Sequence, residues 1–155
     1  MKDMKAGQYF ALITGIVFTL VGIMGFIPGL VKEPLLTPET AGLGFTSGYG
    51  YLLGLFPINV LHNFVHLTVG VLGIFASFSL GSTRLYSGAL ALFYALLAVM
   101  GFIPATQSTF GFIPIFGNNV WLHALTAAIA FYFGFIATPN LLELRRQEDP
   151  THSQG

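Results

Sequence analysis

Four stretches of about twenty residues contain no Lys, Arg, Asp or Glu: roughly 8–27, 60–80, 85–103 and 120–138. This property limits the possible folds more than any other. Twenty residues of helix rise about 30 Å, the thickness of a bilayer's hydrocarbon core. No water pairs with backbone groups inside that core, so a spanning segment must satisfy its own. The sequence therefore predicts an all-α integral membrane protein. Its four transmembrane helices form one bundle over residues 1–140, and a polar tail occupies 141–155. Composition points the same way. Of 155 residues, 54% are hydrophobic and 8% charged, with a mean hydropathy of +0.77. A water-soluble domain carries about 25% charged residues. The expected surroundings are a lipid bilayer.

Several function classes fall away on composition. Six basic and six acidic residues balance, which leaves no footprint for nucleic acid. Cysteine is absent, which excludes disulfides, iron–sulfur clusters, thiolate zinc sites and cysteine nucleophiles. The first span follows Lys2 and Lys5, as a signal peptide would. Its apolar run is longer than a usual signal core and no A-x-A-like site follows, so it reads as a retained helix.

Basic residues orient the bundle. Lys2 and Lys5, Arg84, and Arg145 with Arg146 all fall on one side of four spans, and that side is expected to be cytoplasmic. Both termini then lie in the cytoplasm of a bacterial inner membrane or beside a thylakoid. The tail "LLELRRQEDPTHSQG" reads as a helix extension that frays, carrying a solvated His152. The outer side carries 28–57, charged only at Lys32, Glu33 and Glu39, and the uncharged 104–117. The Gly- and aromatic-rich "GLGFTSGYGYLLGLFP" is neither a phosphate loop nor a dinucleotide fingerprint. Tyr49, Tyr51 and Trp121 suit an interfacial aromatic belt.

The chain repeats itself. "VGIMGFIPGL" (21–30) and "LAVMGFIPAT" (97–106) share MGFIP at an offset of 76. In each copy Gly and Phe fall in a last helical turn, and Pro stops the helix. His66 and His123 correspond at an offset of 57, followed by two small-residue stripes: Gly70, Gly73, Ser77 and Ala127, Ala130, Gly134. Spacings of three and four keep each stripe on one face, and small residues let helices approach closely in a bilayer. Two like hairpins with the same orientation imply a pseudo-twofold axis along the membrane normal. The expected core adds Gly15 and Gly22 from span one and Gly88, Ala91, Ala95 and Ala98 from span three.

Polar residues gather at the outer ends of spans two and four: Asn59, His62, Asn63 and His66, then Asn118, Asn119 and His123. In the repeat, His62 corresponds to Asn119. Asn59, and Asn118 or Asn119, are candidate N-caps, since an asparagine side chain satisfies orphan backbone donors. The histidines then close the top of the bundle by hydrogen bonding. A cofactor reading competes. Imidazole ligates haem iron, copper, zinc or chlorophyll magnesium, so His66 and His123 would bracket a haem or each hold a pigment. His62 with His66 would chelate one small metal. A transporter or sensor using His62 and His66 is the third reading, although proton-coupled transport usually needs an intramembrane acid. No feature ties a serine or threonine nucleophile to a histidine, and the expected protein is not an enzyme.

N-x-L-H-N-x-x-H-L-x-x-G, read from Asn59 to Gly70 after "LLGLFPI", resembles the signature of a bacterial family catalogued as domain of unknown function 4383. The resemblance covers about 8–138 and implies a small four-span membrane protein, without an activity. Where that family's pattern has Asp-Asn before the last histidine, this chain has Asn119 and Val120. Together these readings predict a structural or accessory subunit of a larger membrane assembly, or a homo-oligomer, with a chlorophyll or haem protein as the alternative.

Overall fold

In a computed structural model of the chain, the described residues are 4–34 and 47–139. Lys2, Glu39, Arg145, Arg146 and His152, and with them the polar tail, lie outside these. Four helices dominate: α1 (Ala6–Met24), α2 (Val60–Ala76), α3 (Leu80–Phe102) and α4 (Asn118–Phe131), the last continued by a π-helical segment over Tyr132–Ala137. Three are long and apolar enough to cross a membrane: α1, α3 and Asn118–Ala137. The fourth, α2, is apolar but has 17 residues, a rise of about 26 Å.

The break between α2 and α3 falls earlier than the hydropathy suggests. The second span was expected to reach residue 80 and the third to begin at 85. Instead α2 stops at Ala76, and Leu80 already belongs to α3. Serines set this boundary. Ser79 caps α3 by accepting the Ser82 N–H at 3.1 Å, and the Ser77 hydroxyl donates back to the Ile74 carbonyl at 2.7 Å. Serines compete well for backbone groups, so they mark helix ends that an apolar average runs through.

The MGFIP copies end their helices slightly differently. α3 includes Gly101 and Phe102, whereas α1 stops at Met24 with Gly25 as its C-cap. Beyond α1 comes a 3-10 turn, Pro28–Leu30, and then a three-stranded antiparallel sheet, whose strands of two or three residues are too short to show a periodicity. Its strands are β1 (Val31–Lys32), β2 (Gly50–Leu52) and β3 (Phe56–Ile58), with Val31 opposite Leu52 and Gly50 opposite Ile58. The β2–β3 reversal runs through Leu53 and Gly54, both at positive φ, which costs the leucine but not the glycine. This sheet leads directly into α2.

Small residues carry the helix contacts as expected. A Cβ on Gly15 would lie 2.6 Å from the Ile74 nitrogen and 2.7 Å from the Gly70 carbonyl oxygen. One on Gly134 would lie 2.6 Å from the Gly88 nitrogen. Gly22, Gly70, Gly73, Ser77, Ala91, Ala98, Ala127 and Ala130 are buried as well. Ala95 is not: it is exposed, because Tyr94 takes the inward position and the next residue turns about 100° away. Gly88 is half-buried. The spaces between small residues are filled by Phe18, Leu90 and Tyr94, with Phe10, Val69 and Tyr86 packed against them. Large apolar side chains cover the outside, among them Leu20, Phe75, Leu92 and Leu125.

Candidate functional site: a histidine cluster under a sheet

The end of the helices beside the sheet is held by asparagines. Asn59 caps α2, its Oδ1 accepting the His62 N–H at 2.8 Å. Its amide then donates to the Phe112 carbonyl at 2.7 Å, tying α2 to the loop before α4. The expectation that Asn118 or Asn119 caps α4 fails. Gly117 precedes that helix at φ 63°, and both asparagines lie inside its first turn. With Gly117 at the cap position, the two amides reach across the molecule instead. Asn118 donates to the Leu55 carbonyl at 3.1 Å. Asn119 donates to Pro57 at 2.7 Å and to Pro114 at 3.1 Å.

Those two carbonyls are themselves related. Pro57-Ile58 and Pro114-Ile115 are separated by the offset that relates His66 to His123, and all four residues are buried. Asn119 thus ties together two Pro-Ile pairs that recur in the sequence.

Beneath these braces the three histidines come together. The His62 and His66 rings are 4.5 Å apart between centroids, and His62 and His123 are 6.3 Å apart. Each is at most 6% exposed. Their Nδ1 atoms are buried and have no hydrogen-bond partner, nor has Oδ1 of Asn63, whose carboxamide lies over Gly25. Side-chain hydrogen bonding at this end of the helices is done by Asn59, Asn118 and Asn119, and the histidine Nδ1 atoms take no part in it.

Two aromatic rings complete the cluster. Phe18 stacks on His66 at 5.5 Å and on Tyr94 at 5.4 Å, and Tyr94 meets His123 edge-on at 5.1 Å. Sequence reasoning did not single out Phe18 or Tyr94, since an aromatic in an apolar helix carries no signal of its own. It also passed over Pro57 and Pro114, although the repeated Pro-Ile pair was there to be read.

The geometry narrows the chemistry. A haem or chlorophyll bracketed by His66 and His123 would need a flat slot between them. Phe18 stacks on His66 and Tyr94 meets His123 edge-on, so each of these histidines already has a ring of this chain against it. Among the described residues, no group of three His, Cys, Asp or Glu side chains could hold a metal ion. The only acidic side chain among them is Glu33, which is exposed.

A family model described as domain of unknown function (DUF4383) matches residues 8–136, a range that reaches into every helix and includes the asparagines and histidines just described. No curated protein and no solved structure matches the chain.

Proposed function

The chain belongs to the DUF4383 family, a domain of unknown function, and on that premise we propose an integral membrane protein of four spans serving as a structural or accessory subunit of a larger membrane assembly. One observation carries this reading. His62, Asn63, His66, Thr83, Ser87 and His123 are buried, while large apolar side chains stand exposed along all four helices, from Leu20 in α1 to Leu125 in α4. An apolar surface this extensive belongs against lipid or against other apolar protein.

The short helix α2 counts as a span because it runs beside α1 for its whole length. Gly15 meets Gly70 and Gly73, Gly22 meets Asn63 and Leu67, and Gln8 donates to the Ser77 carbonyl at 2.9 Å. Whatever depth α1 crosses, α2 crosses with it. The two-hairpin repeat is supported by equivalent contacts. The glycine of each MGFIP copy is covered by the matching residue of its partner helix: Gly25 by Asn63, and Gly101 by Val120. At the opposite end, Gln8 and Arg84 are equivalent, and each donates to a carbonyl beyond its partner helix, Ser77 and Thr138.

The protein's role is then mechanical, and it is non-catalytic. Its hairpins lock through Asn119, and its outer faces dock. The test is migration of the native protein, solubilised in a mild detergent, on a native gel followed by identification of co-migrating chains. A band of several hundred kilodaltons containing other membrane proteins is expected. Migration as a lone monomer in every mild detergent would sink the subunit reading.

A further inference from the structure

The loop between α3 and α4 is strained, and its strained residues are braced. Thr109 and Phe110 stand at φ 47° and 59°, and Gly111 follows at 95°, a short left-handed turn. A β-carbon resists that region, so such a turn persists only where its surroundings hold it. The Ser108 hydroxyl accepts the Gly111 N–H at 3.1 Å, and the Ser108 carbonyl accepts the Phe112 N–H at 2.9 Å. The Thr109 hydroxyl accepts the Ile113 N–H at 2.8 Å. Farther along, the Phe112 carbonyl is fastened to Asn59 and the Pro114 carbonyl to Asn119. What this held turn presents is Phe110, 75% exposed, and Phe112, 65% exposed.

The loop is also turned inside out for one that meets water. Over 102–112 the exposed residues are Phe102, Ile103, Pro104, Ala105, Phe110 and Phe112, all apolar. The polar residues between them are buried or half-buried, and their side chains serve the chain's own backbone. Besides the braces above, the Thr106 hydroxyl donates to the Met100 carbonyl at 2.8 Å. A segment that satisfies its own backbone groups is what an environment poor in water demands. Charge is missing as well: 85–139 contains no Lys, Arg, Asp or Glu. The apolar flank of the helices runs on into the loop, since Phe102 meets Trp121 of α4 edge-on at 5.6 Å and both rings are exposed. A protein-docking patch normally carries a polar rim, whereas aromatic rings on an uncharged surface gather where a bilayer meets water. The connection after α1 differs, with Lys32 and Glu33 exposed.

We propose that the loop between α3 and α4 is a wedge seated in lipid, with 102–112 at the boundary between headgroups and acyl chains and the Phe110 and Phe112 rings as its tip. It rests on the membrane reading above and adds a surface that needs no partner protein. The left-handed turn keeps the rings extended before they meet lipid, so little order is lost on seating them. The two hairpins then meet the bilayer surface by different devices, the first through a sheet that carries charge and the second through the wedge.

The chain's single tryptophan makes the test direct. In a Trp121→Phe background, the probe is moved by Phe110→Trp, by Leu92→Trp on the exposed flank of α3, or by Glu33→Trp after β1. Each purified full chain is reconstituted into phosphatidylcholine vesicles. Quenching by brominated acyl chains is compared with quenching by iodide present on both sides. Leu92→Trp should lose emission to bromine alone, and Glu33→Trp to iodide. Phe110→Trp should lose emission to bromine, most with the bromines nearest the headgroup, and resist iodide. Phe112→Trp repeats the measurement if the first variant does not elute like the wild type. If Phe110→Trp yields to iodide while Leu92→Trp resists it, the wedge is refuted and the membrane reading stands. Iodide reaching Leu92→Trp too would sink the membrane reading, and the wedge with it. Protection of Phe110→Trp from both quenchers would show protein covering the tip and overturn the proposal.

Discussion

Gly15→Ala probes the closest contact between helices. The added Cβ would lie 2.6 Å from the Ile74 nitrogen, 2.7 Å from the Gly70 oxygen and 2.9 Å from the Gly73 carbonyl carbon. All three are backbone atoms of α2, so no side chain can rotate away and the helices must separate. Overpacking of this kind costs about 1–3 kcal/mol, and the upper part of that range applies when backbone is what must move. Alanine returns about 0.8–1 kcal/mol of helix propensity. The net expectation is a loss of about 1–2 kcal/mol, which for a chain of this size lowers Tm by roughly 2–8 °C. Gly88→Ala is the matched control. Its Cβ would meet only the Phe135 ring, at 3.5 and 3.8 Å, an ordinary contact. That variant should be neutral or stabilised by up to about 1 kcal/mol. Far-UV circular dichroism melts in one detergent would compare the two. If Gly15→Ala melts at or above the wild type, α1 and α2 do not touch through backbone, and the argument from small-residue stripes fails with it.

Three further outcomes follow from the outer end and its orientation. Asn119→Ala strips a donor from both the Pro57 and Pro114 carbonyls and should destabilise by about 1–3 kcal/mol; an unchanged melt would mean the brace is idle. Gly25→Ala drives a methyl into the Asn63 carboxamide, so in the Gly25→Ala, Asn63→Ala double variant the losses should fall short of additive by about 0.5–3 kcal/mol. Additive losses would show that the two residues do not meet. Because the natural chain has no cysteine, single Gly29→Cys and Ser82→Cys variants report topology directly. An impermeant maleimide should label the first in intact cells and the second only after permeabilisation, and the reverse pattern would invert the orientation.

Hydropathy made the apolar helices legible, but it could not see where one ended. The α2–α3 boundary depends on serine hydroxyls finding backbone partners, which an average over apolar residues conceals. The stripes were legible because close packing needs small residues at helical spacing, and Gly15, Gly70 and Ala130 are buried accordingly. Ala95 misled the same logic, since a large ring on the adjacent residue claims the interior. The histidines were recognisable as a cluster, yet their surroundings were not. Phe18 and Tyr94 are distant in sequence, and only the packing of four helices brings them onto the histidines. Asn118 and Asn119 looked like caps because capping is a local rule. They are long-range donors because the helix begins one residue earlier, at Gly117, and both asparagines fall inside its first turn. The sheet depends on pairings between separate loops, which periodicity does not report.

The paired proline carbonyls bear on how the chain is built. A dimer of identical hairpins would present the same residue twice at every position beside its axis. Where two carbonyls need a single donor between them, one copy would serve and the other would compete. A tandem chain is free of that constraint. In the proposed repeat, Asn119 takes the strut's place in the second hairpin, and its equivalent in the first is a histidine, His62, with a nitrogen left unengaged. Fusion thus allows one position to divide its labour, with one copy fastening the molecule and the other released from that task.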